Sequence, residues 1–425
     1  MSVFFCQQPP SSGASPRCEV GAGAQTNPPS RRRKEVIAMP GGKRRSIRAL
    51  TLVGLLAVVL AASSAGPAAA SQTPGTWQKT GSMTTPREGQ TAVLLHDGQV
   101  LMMGGSNGGT TLSSAELFNP ATGKFTATGD MGVVRTDFNA TALPNGEALI
   151  TGGAIAGAAT SSAEVFNPAT GTFTATGSMS TPREFGTATL LPNGQVLVAG
   201  GENSSGALTS AELFDPATGT FSTTGSMNVP RISQTATLLQ NGQVLMAGGP
   251  PGTLPGGSAE LYNPGTGTFT NTGSMAFPHY GPLAGLLPDG RVVSVCNISD
   301  PGVNRCGAEL YNPASGIWRD GGIADPTAEG GYTLTMLGNG QVLISGGADV
   351  SGVDQQNTTL QSGTNLFDPT TGNSTPTGSM SIPRDGHTLT LLPNGQVLAA
   401  GGYTQSNRKV NSKISVTASA ELFTP

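Results

Sequence analysis

Charge is scarce in this 425-residue chain: Lys, Arg, Asp and Glu make up 11% of it, against about 25% in ordinary soluble domains. What charge there is divides by position. Residues 1–70 hold nine Lys or Arg against two acids, Glu19 and Glu35, whereas residues 71–425 hold thirteen against twenty-three. An acidic body excludes nucleic acid as a partner, because phosphate binding needs a basic stripe. The apolar stretch from Ala49 to Ala62 is fourteen residues, short of the roughly twenty that span a bilayer, so no stable membrane insertion is expected. Histidine occurs three times and cysteine four times. No zinc or calcium spacing, Ser-His-Asp set or phosphate loop is present, and neither a metal nor a cofactor is expected.

The basic leader has its own logic. Lys43, Arg44, Arg45 and Arg48 precede the apolar stretch, and Ala68-Ala69-Ala70 follows it. That is the layout of a secretory signal peptide, with cleavage expected after Ala70 and a secreted, extracellular product. Residues 1–38 precede a second start at Met39 and read as a mis-assigned start, so 1–70 is set apart from a body of 71–425. Cleavage leaves Cys296 and Cys306, an even count that favours a disulfide in an exported chain.

The body is abundant in glycine and proline, 62 and 31 in the whole chain, and they recur with a period. "GSMTTPREGQTAVLLHDGQVLMMGG" begins at Gly81 and "GSMSTPREFGTATLLPNGQVLVAGG" at Gly177, with related copies at Gly129, Gly225, Gly273 and Gly378 and a degenerate one near Gly322. These are seven copies, mostly 48 residues apart. In each, Asp-Gly or Asn-Gly (Asp97-Gly98, Asn145-Gly146 and their equivalents) joins two apolar runs, the signature of a type I′ hairpin. A Gly-Gly pair closes the second run, "AELF" supplies a third strand, and an aromatic (Phe125, Phe173, Phe221, Phe269, Trp318) marks a fourth. Four antiparallel strands per unit, repeated radially so that each sheet covers its neighbour, predict an all-β, seven-bladed β-propeller. An open solenoid would want shorter coils and end caps. The fragment "TPGTWQKTG" from Thr73 completes "ELFTP" at the C-terminus, so the N-terminal strand is expected to close the last blade, with Trp77 in the aromatic slot.

The Gly-Gly after an apolar strand, the fourth-strand aromatic and the Met-x-x-Pro-Arg lead-in resemble kelch repeats, and the likeness covers 75–425. The resemblance implies a propeller of the kind found in the central domain of galactose oxidase. In kelch proteins that bind acidic ligands, lead-in arginines help line the pocket. The matching positions here are Arg87, Arg135, Arg183, Arg231 and Arg384, with His279 in the fifth unit and Thr327 in the sixth. The guanidinium fork suits carboxylate, phosphate or sulfate, so these residues are expected to ring the mouth of the central channel. The competing reading makes them scaffold that ties blades together through backbone carbonyls.

Strand alternation puts the Asn-Gly and Asn-Pro turns on one face and the variable loops on the other. Units six and seven carry the longest loops, "ADVSGVDQQNTTLQSG" and "YTQSNRKVNSKISVTAS", the latter with Arg408, Lys409 and Lys413. Long loops on a rigid scaffold are where recognition sits. Cys296 and Cys306 flank one hairpin and are expected to pair.

A copper oxidase of the galactose oxidase type would need two tyrosines, one of them crosslinked to cysteine, and two histidines. The three histidines, His96, His279 and His387, do not match: His279-Tyr280 runs in the wrong order and no further domain is expected after the propeller. Glu88 or Glu184 could serve an acidic-sugar epimerase as acid–base groups. The reading preferred is a secreted, monomeric binding module for a glycan or protein, with no catalytic residue assigned and the sugar-active enzyme as its alternative.

Overall fold

The computed structural model describes residues 75–249, 257–276, 283–295, 306–325, 331–351, 357–406 and 413–425. They form seven four-stranded antiparallel sheets. In blade 1 the strands run Thr91–Leu94, Val100–Met103, Ala115–Asn119 and Lys124–Ala127, from the inside outwards. The innermost strands of the others are Asn139–Ala142, Thr187–Leu190, Thr235–Leu238, Leu283–Leu286, Tyr332–Met336 and Thr388–Leu391. Each innermost strand adjoins the one before and the one after it, and blade 7 adjoins blade 1, which closes the ring.

The second strand of each blade is apolar at nearly every position because both of its faces are covered. Val100, Leu101, Met102 and Met103 are all fully buried; Val100 and Met102 pack towards blade 7, Leu101 and Met103 towards blade 2. The core is accordingly seven layers, one between each pair of neighbouring blades. A third-strand aromatic anchors each layer, and in six blades it meets a fourth-strand ring, as in Phe118–Phe125 with centroids 4.9 Å apart. Blade 6 departs from this pattern, with Ser374 opposite Phe367. There the outer strand of blade 5 lengthens to Ile317–Asp325 and runs against the turn at Gly372.

The apolar runs are joined differently from a type I′ hairpin. Gly98 donates to Leu95 O (3.0 Å) and Leu95 to Gln99 O (2.8 Å), and Gly98 takes positive φ while His96 and Asp97 do not. The turn is therefore the longer kind with a glycine bulge, and Asp97 Oδ1 holds it by accepting from Gln99 N at 2.9 Å. The second glycine of the Gly-Gly pair in blade 1 has no substitute. A Cβ on Gly105 would meet Glu88 O at 2.5 Å, and its φ of 80° disfavours any side chain.

Gly-Gly also stitches the ring. Gly105, Gly153, Gly201, Gly347 and Gly402 each donate to the carbonyl of the next blade's lead-in arginine: Arg135, Arg183, Arg231, Arg384 and Arg87 respectively. On the periphery Thr80, Thr128 and Thr176 each donate a hydroxyl hydrogen bond of 3.0 Å to Gly123 O, Gly171 O and Gly219 O of the following blade.

Closure is by the N-terminal strand. Thr76–Lys79 pairs with Ala420–Thr424 in the register Thr76↔Thr424 to Lys79↔Glu421, making Thr76–Lys79 the fourth strand of blade 7. Trp77 packs on Phe423 with ring centroids 5.1 Å apart. Removing residues 71–80 strips that strand and uncovers Phe423, a fully buried ring. Its apolar burial alone is of the size that costs about 3–5 kcal/mol when a core Phe is cut to Ala. The truncated chain should therefore melt several degrees below the intact chain in calorimetry, and equal melting would contradict closure by this strand.

Candidate functional site

Each unit reaches its innermost strand through the lead-in Gly-Ser-Met-x-x-Pro-Arg or a variant of it. The methionine plugs the interblade core, as Met83 and Met179 show, and brings the arginine over the end of its own blade. Arg87 Nη1 donates to Gly104 O (3.0 Å) and Ser114 O (2.8 Å), and its Nη2 to Ser114 Oγ (3.0 Å) and Glu116 Oε1 (3.3 Å). Glu116 in turn accepts from the amides of Thr84 and Thr85 at 2.7 and 3.1 Å, so the pair clamps the lead-in to the third strand. The arrangement recurs in Arg135–Glu164, Arg183–Glu212, Arg231–Glu260 and Arg384–Glu421, with ion-pair distances of 2.6–3.2 Å.

This corrects the expectation of an arginine ring. All five side chains are at most 2% exposed, and the Nη1 and Nη2 donors of each guanidinium go to its own blade. They hold the lead-in and are not presented to a ligand. The carbonyls they bind are intrablade; the interblade links are made by their own backbone oxygens. Burial pulls the guanidinium groups of Arg87, Arg183, Arg231 and Arg384 below their ordinary value, and the paired glutamates oppose the shift.

Of the remaining predicted site residues, His279, Thr327, Cys296, Arg408 and Lys409 lie outside the described residues. The expected disulfide therefore has one partner outside them, and Cys306 opens the third strand of blade 5, Cys306–Asn312. Lys413 is exposed beside the strand Ile414–Val416. The two long loops form hairpins, Ala348–Ser351 with Asn357–Leu360 and Tyr403–Gln405 with Ile414–Val416. They lie side by side as expected: buried Gln405 accepts from Leu360 N at 3.0 Å and donates to Thr358 O at 3.3 Å.

The mouth of the channel is built from the two residues after the arginine. The first is Glu88, Thr136, Glu184 or Asp385, and it bridges to the residue after Gly-Gly: Ser106, Ala154, Glu202 or Tyr403. The second has positive φ in five blades, at Gly89 (59°), Asp137 (58°), Phe185 (54°), Ser233 (52°) and Gly386 (62°), and Gly331 (69°) holds the same place by strand register in blade 6. Glycine adopts this conformation freely, whereas a bulky residue such as Phe185 is strained there. Phe185 N donates to Asp137 O (3.2 Å) and Ser233 N to Phe185 O (2.9 Å), which links blades 2, 3 and 4 around the rim.

Five carboxylates gather on this rim from blades 7, 1, 2 and 3: Asp385, Glu88, Asp137, Glu184 and Glu202. None of them belongs to an ion pair among the described residues. Glu88 Oε1 accepts from Ser106 Oγ at 2.7 Å. Burial, reinforced by the charges of Asp137 and Glu202, raises the Glu184 carboxyl to about 7. Asp137 and Asp385 are also raised, first by burial and then by the neighbouring Glu88. Burial and the charge of Glu88 push the Tyr403 hydroxyl up to about 12.

The sequence pointed to Glu88 and Glu184 but not to Asp137, Phe185, Glu202 and Tyr403. The available signal was positional: they occupy the slots after the arginine and after Gly-Gly, where otherwise repetitive units diverge.

The described residues do not fit a copper oxidase centre. His96 is exposed in the Asp97-Gly98 turn, on the face opposite the rim. His387 is buried, its Nε2 3.0 Å from Ser345 Oγ, and burial pushes its imidazole down to about 3. No three His, Cys, Asp or Glu side chains among the described residues are grouped to hold a metal ion.

The Kelch motif family matches residues 89–132 and 186–228. A fungal alcohol oxidase of the AA5 family, solved in complex with copper, shares 18% identity over 83% of this chain and 77% of its own, with a TM-score of 0.64. At that identity the likeness is one of fold. No curated protein matches the chain.

Two outcomes follow from this geometry. Arg183→Ala strands the buried Glu212 and should cost about 3–5 kcal/mol of stability, read as a lower denaturant midpoint. A midpoint within error of the parent would restore the reading of Arg183 as a free ligand group. Glu184 has a folded value of about 7 against 4.5 for an ordinary Glu. Its contribution to stability is therefore present below pH 4.5 and lost as pH rises through 7. Melting temperature should decline across that window, and Glu184→Gln should flatten the decline; an unchanged slope in the variant would remove Glu184 as its source.

Proposed function

We propose that this kelch-repeat propeller is an exported, rigid binding module that presents its channel mouth and loop face to a glycan or protein ligand. One observation carries the reading: a closely repeated scaffold holds a rim whose side chains are not repeated. At six equivalent left-handed positions three blades have glycine, and the other three present Asp137, Phe185 and Ser233 side by side. A non-glycine residue in that conformation costs roughly 1–3 kcal/mol, and nothing in the scaffold demands it, since glycine serves elsewhere. Phe185 is half-buried at the mouth, between a half-buried acid and an exposed hydroxyl. Long hairpins from blades 6 and 7 flank the same rim. The basic, apolar and small-residue leader of 39–70 supports export.

A second reading, a sugar-active enzyme, is favoured by Glu184. A carboxyl that exchanges its proton near neutral pH, beside Glu202 and Asp137, is suited to acid–base chemistry.

Probing a glycan and peptide array with the full chain tests the first reading. Phe185→Gly relieves the left-handed strain, so it should leave melting temperature intact. It should weaken binding of the array ligand by about tenfold, the loss of one good aromatic contact. Gln195→Ala, on the turn face, should change nothing. Equal binding by both variants would move the site away from the rim. Mutarotation of an acidic sugar followed by NMR, abolished by Glu184→Gln, would replace the binding reading with the enzymatic one.

A further inference from the structure

The rim carboxylates form one electrostatic unit. Glu88 lies within reach of Asp137 on one side and of Asp385 and Tyr403 on the other, while Glu184 feels both Asp137 and Glu202. Asp385 is 8% exposed, and its Oδ1 has no hydrogen-bond donor. That oxygen faces Gly331 of blade 6, where any side chain would collide with it, so only glycine can lie against the carboxylate there. Asp137 Oδ1 is likewise buried without a donor. A buried, unpartnered carboxylate oxygen costs free energy that a ligand donor would recover.

A carboxylate cluster of this kind asks for a cation. The five lead-in arginines cannot supply it, because their guanidinium groups are held by Glu116, Glu164, Glu212, Glu260 and Glu421. The carboxylates are spread along an arc and are not grouped around one metal position. Several donors carried on one sugar ring, an ammonium group and its neighbouring hydroxyls, match that spread by reaching separate acceptors. Ionised carboxylates only accept, so they are best matched by a ligand rich in donors, whereas a peptide brings a backbone carbonyl with every amide. Phe185 adds a flat apolar surface beside Asp137 and Glu184 on which a sugar ring can lie, and an aromatic face also favours a nearby cation.

We propose that the arc from Asp385 through Glu88 and Asp137 to Glu184 seats the ammonium and hydroxyl groups of an amino sugar, with the sugar ring against Phe185. The inference rests on the binding-module reading and narrows its ligand from any glycan or protein to a glycan with free amino groups. It also reverses the sign of the ligand expected from a ring of arginines.

Titration calorimetry on the full chain at pH 7 tests it with three probes: a glucosamine tetramer, its fully N-acetylated counterpart and a lysine-containing peptide of equal charge. The glucosamine tetramer should bind, and acetylation should weaken it by about tenfold or more, the scale of one hydrogen bond to a charged group. Glu88→Gln and Asp385→Asn should each bring a similar loss with melting temperature retained. Should Asp385→Asn fail to fold, the Glu88→Gln result stands, with Glu184→Gln as a second variant. Equal binding of the acetylated tetramer, or full affinity in the carboxamide variants, would overturn the ammonium assignment. Binding of the peptide in place of the sugar would overturn the amino-sugar assignment. If no probe binds while another array ligand depends on Phe185, the amino-sugar inference fails and the binding-module reading stands. If no ligand of any class depends on the rim, both fail.

Discussion

A guanidinium buried against a carboxylate at the loop end of five blades sets the terms for the rest of this propeller. The pair Arg183–Glu212 and its equivalents do more than neutralise each other. The arginine satisfies two backbone oxygens and a serine hydroxyl, and the glutamate satisfies amides of the lead-in. Swapping such a pair for apolar residues would orphan those backbone groups, so the usual argument that a buried ion pair can be replaced at no cost does not transfer here. The clamp fixes where the lead-in ends, and hence where the two rim residues that follow it are placed. Rigidity at the mouth comes from groups that never reach it.

Much of the architecture was legible in the sequence because turns and apolar runs repeat at a fixed spacing. Strand number, blade number and the split last blade all follow from that spacing and from the Trp77 aromatic slot. The turn type was misread because Asp-Gly suits both a two-residue turn and a glycine bulge, and only the pairing of Leu95 with Gln99 tells them apart. The arginines were misplaced for a related reason: spacing locates a residue along the chain and does not say which way it points. A clue lay inside the repeat itself. The third-strand glutamate is present wherever the arginine is, and the sixth unit, which has Thr327 in place of the arginine, has Asn365 where the others have glutamate. Every arginine comes with a glutamate, although Glu309 is also kept in the fifth unit, where His279 takes the arginine's place.

The rim was harder to read. Asp137, Phe185 and Ser233 occupy a left-handed position that sequence alone marks only by the glycines at Gly89 and Gly386. The acids Glu88 and Glu184 were legible only as acid–base groups of an enzyme, because each follows an arginine expected to dominate the mouth. Once those arginines are withdrawn into the blades, the same carboxylates become the dominant charge at the mouth. The functional reading therefore turns on burial, a property the sequence carried only indirectly through the paired glutamate.

The shared last blade has a consequence for the order in which the molecule is made. Thr76–Lys79 emerges first and has no partner until Ala420–Thr424 has been synthesised, so the earliest strand waits for the latest. Bringing such distant segments together is the slow kind of contact in a folding chain. Six blades can assemble as they appear, yet the ring stays open until Ala420–Thr424 has emerged and paired with Thr76–Lys79.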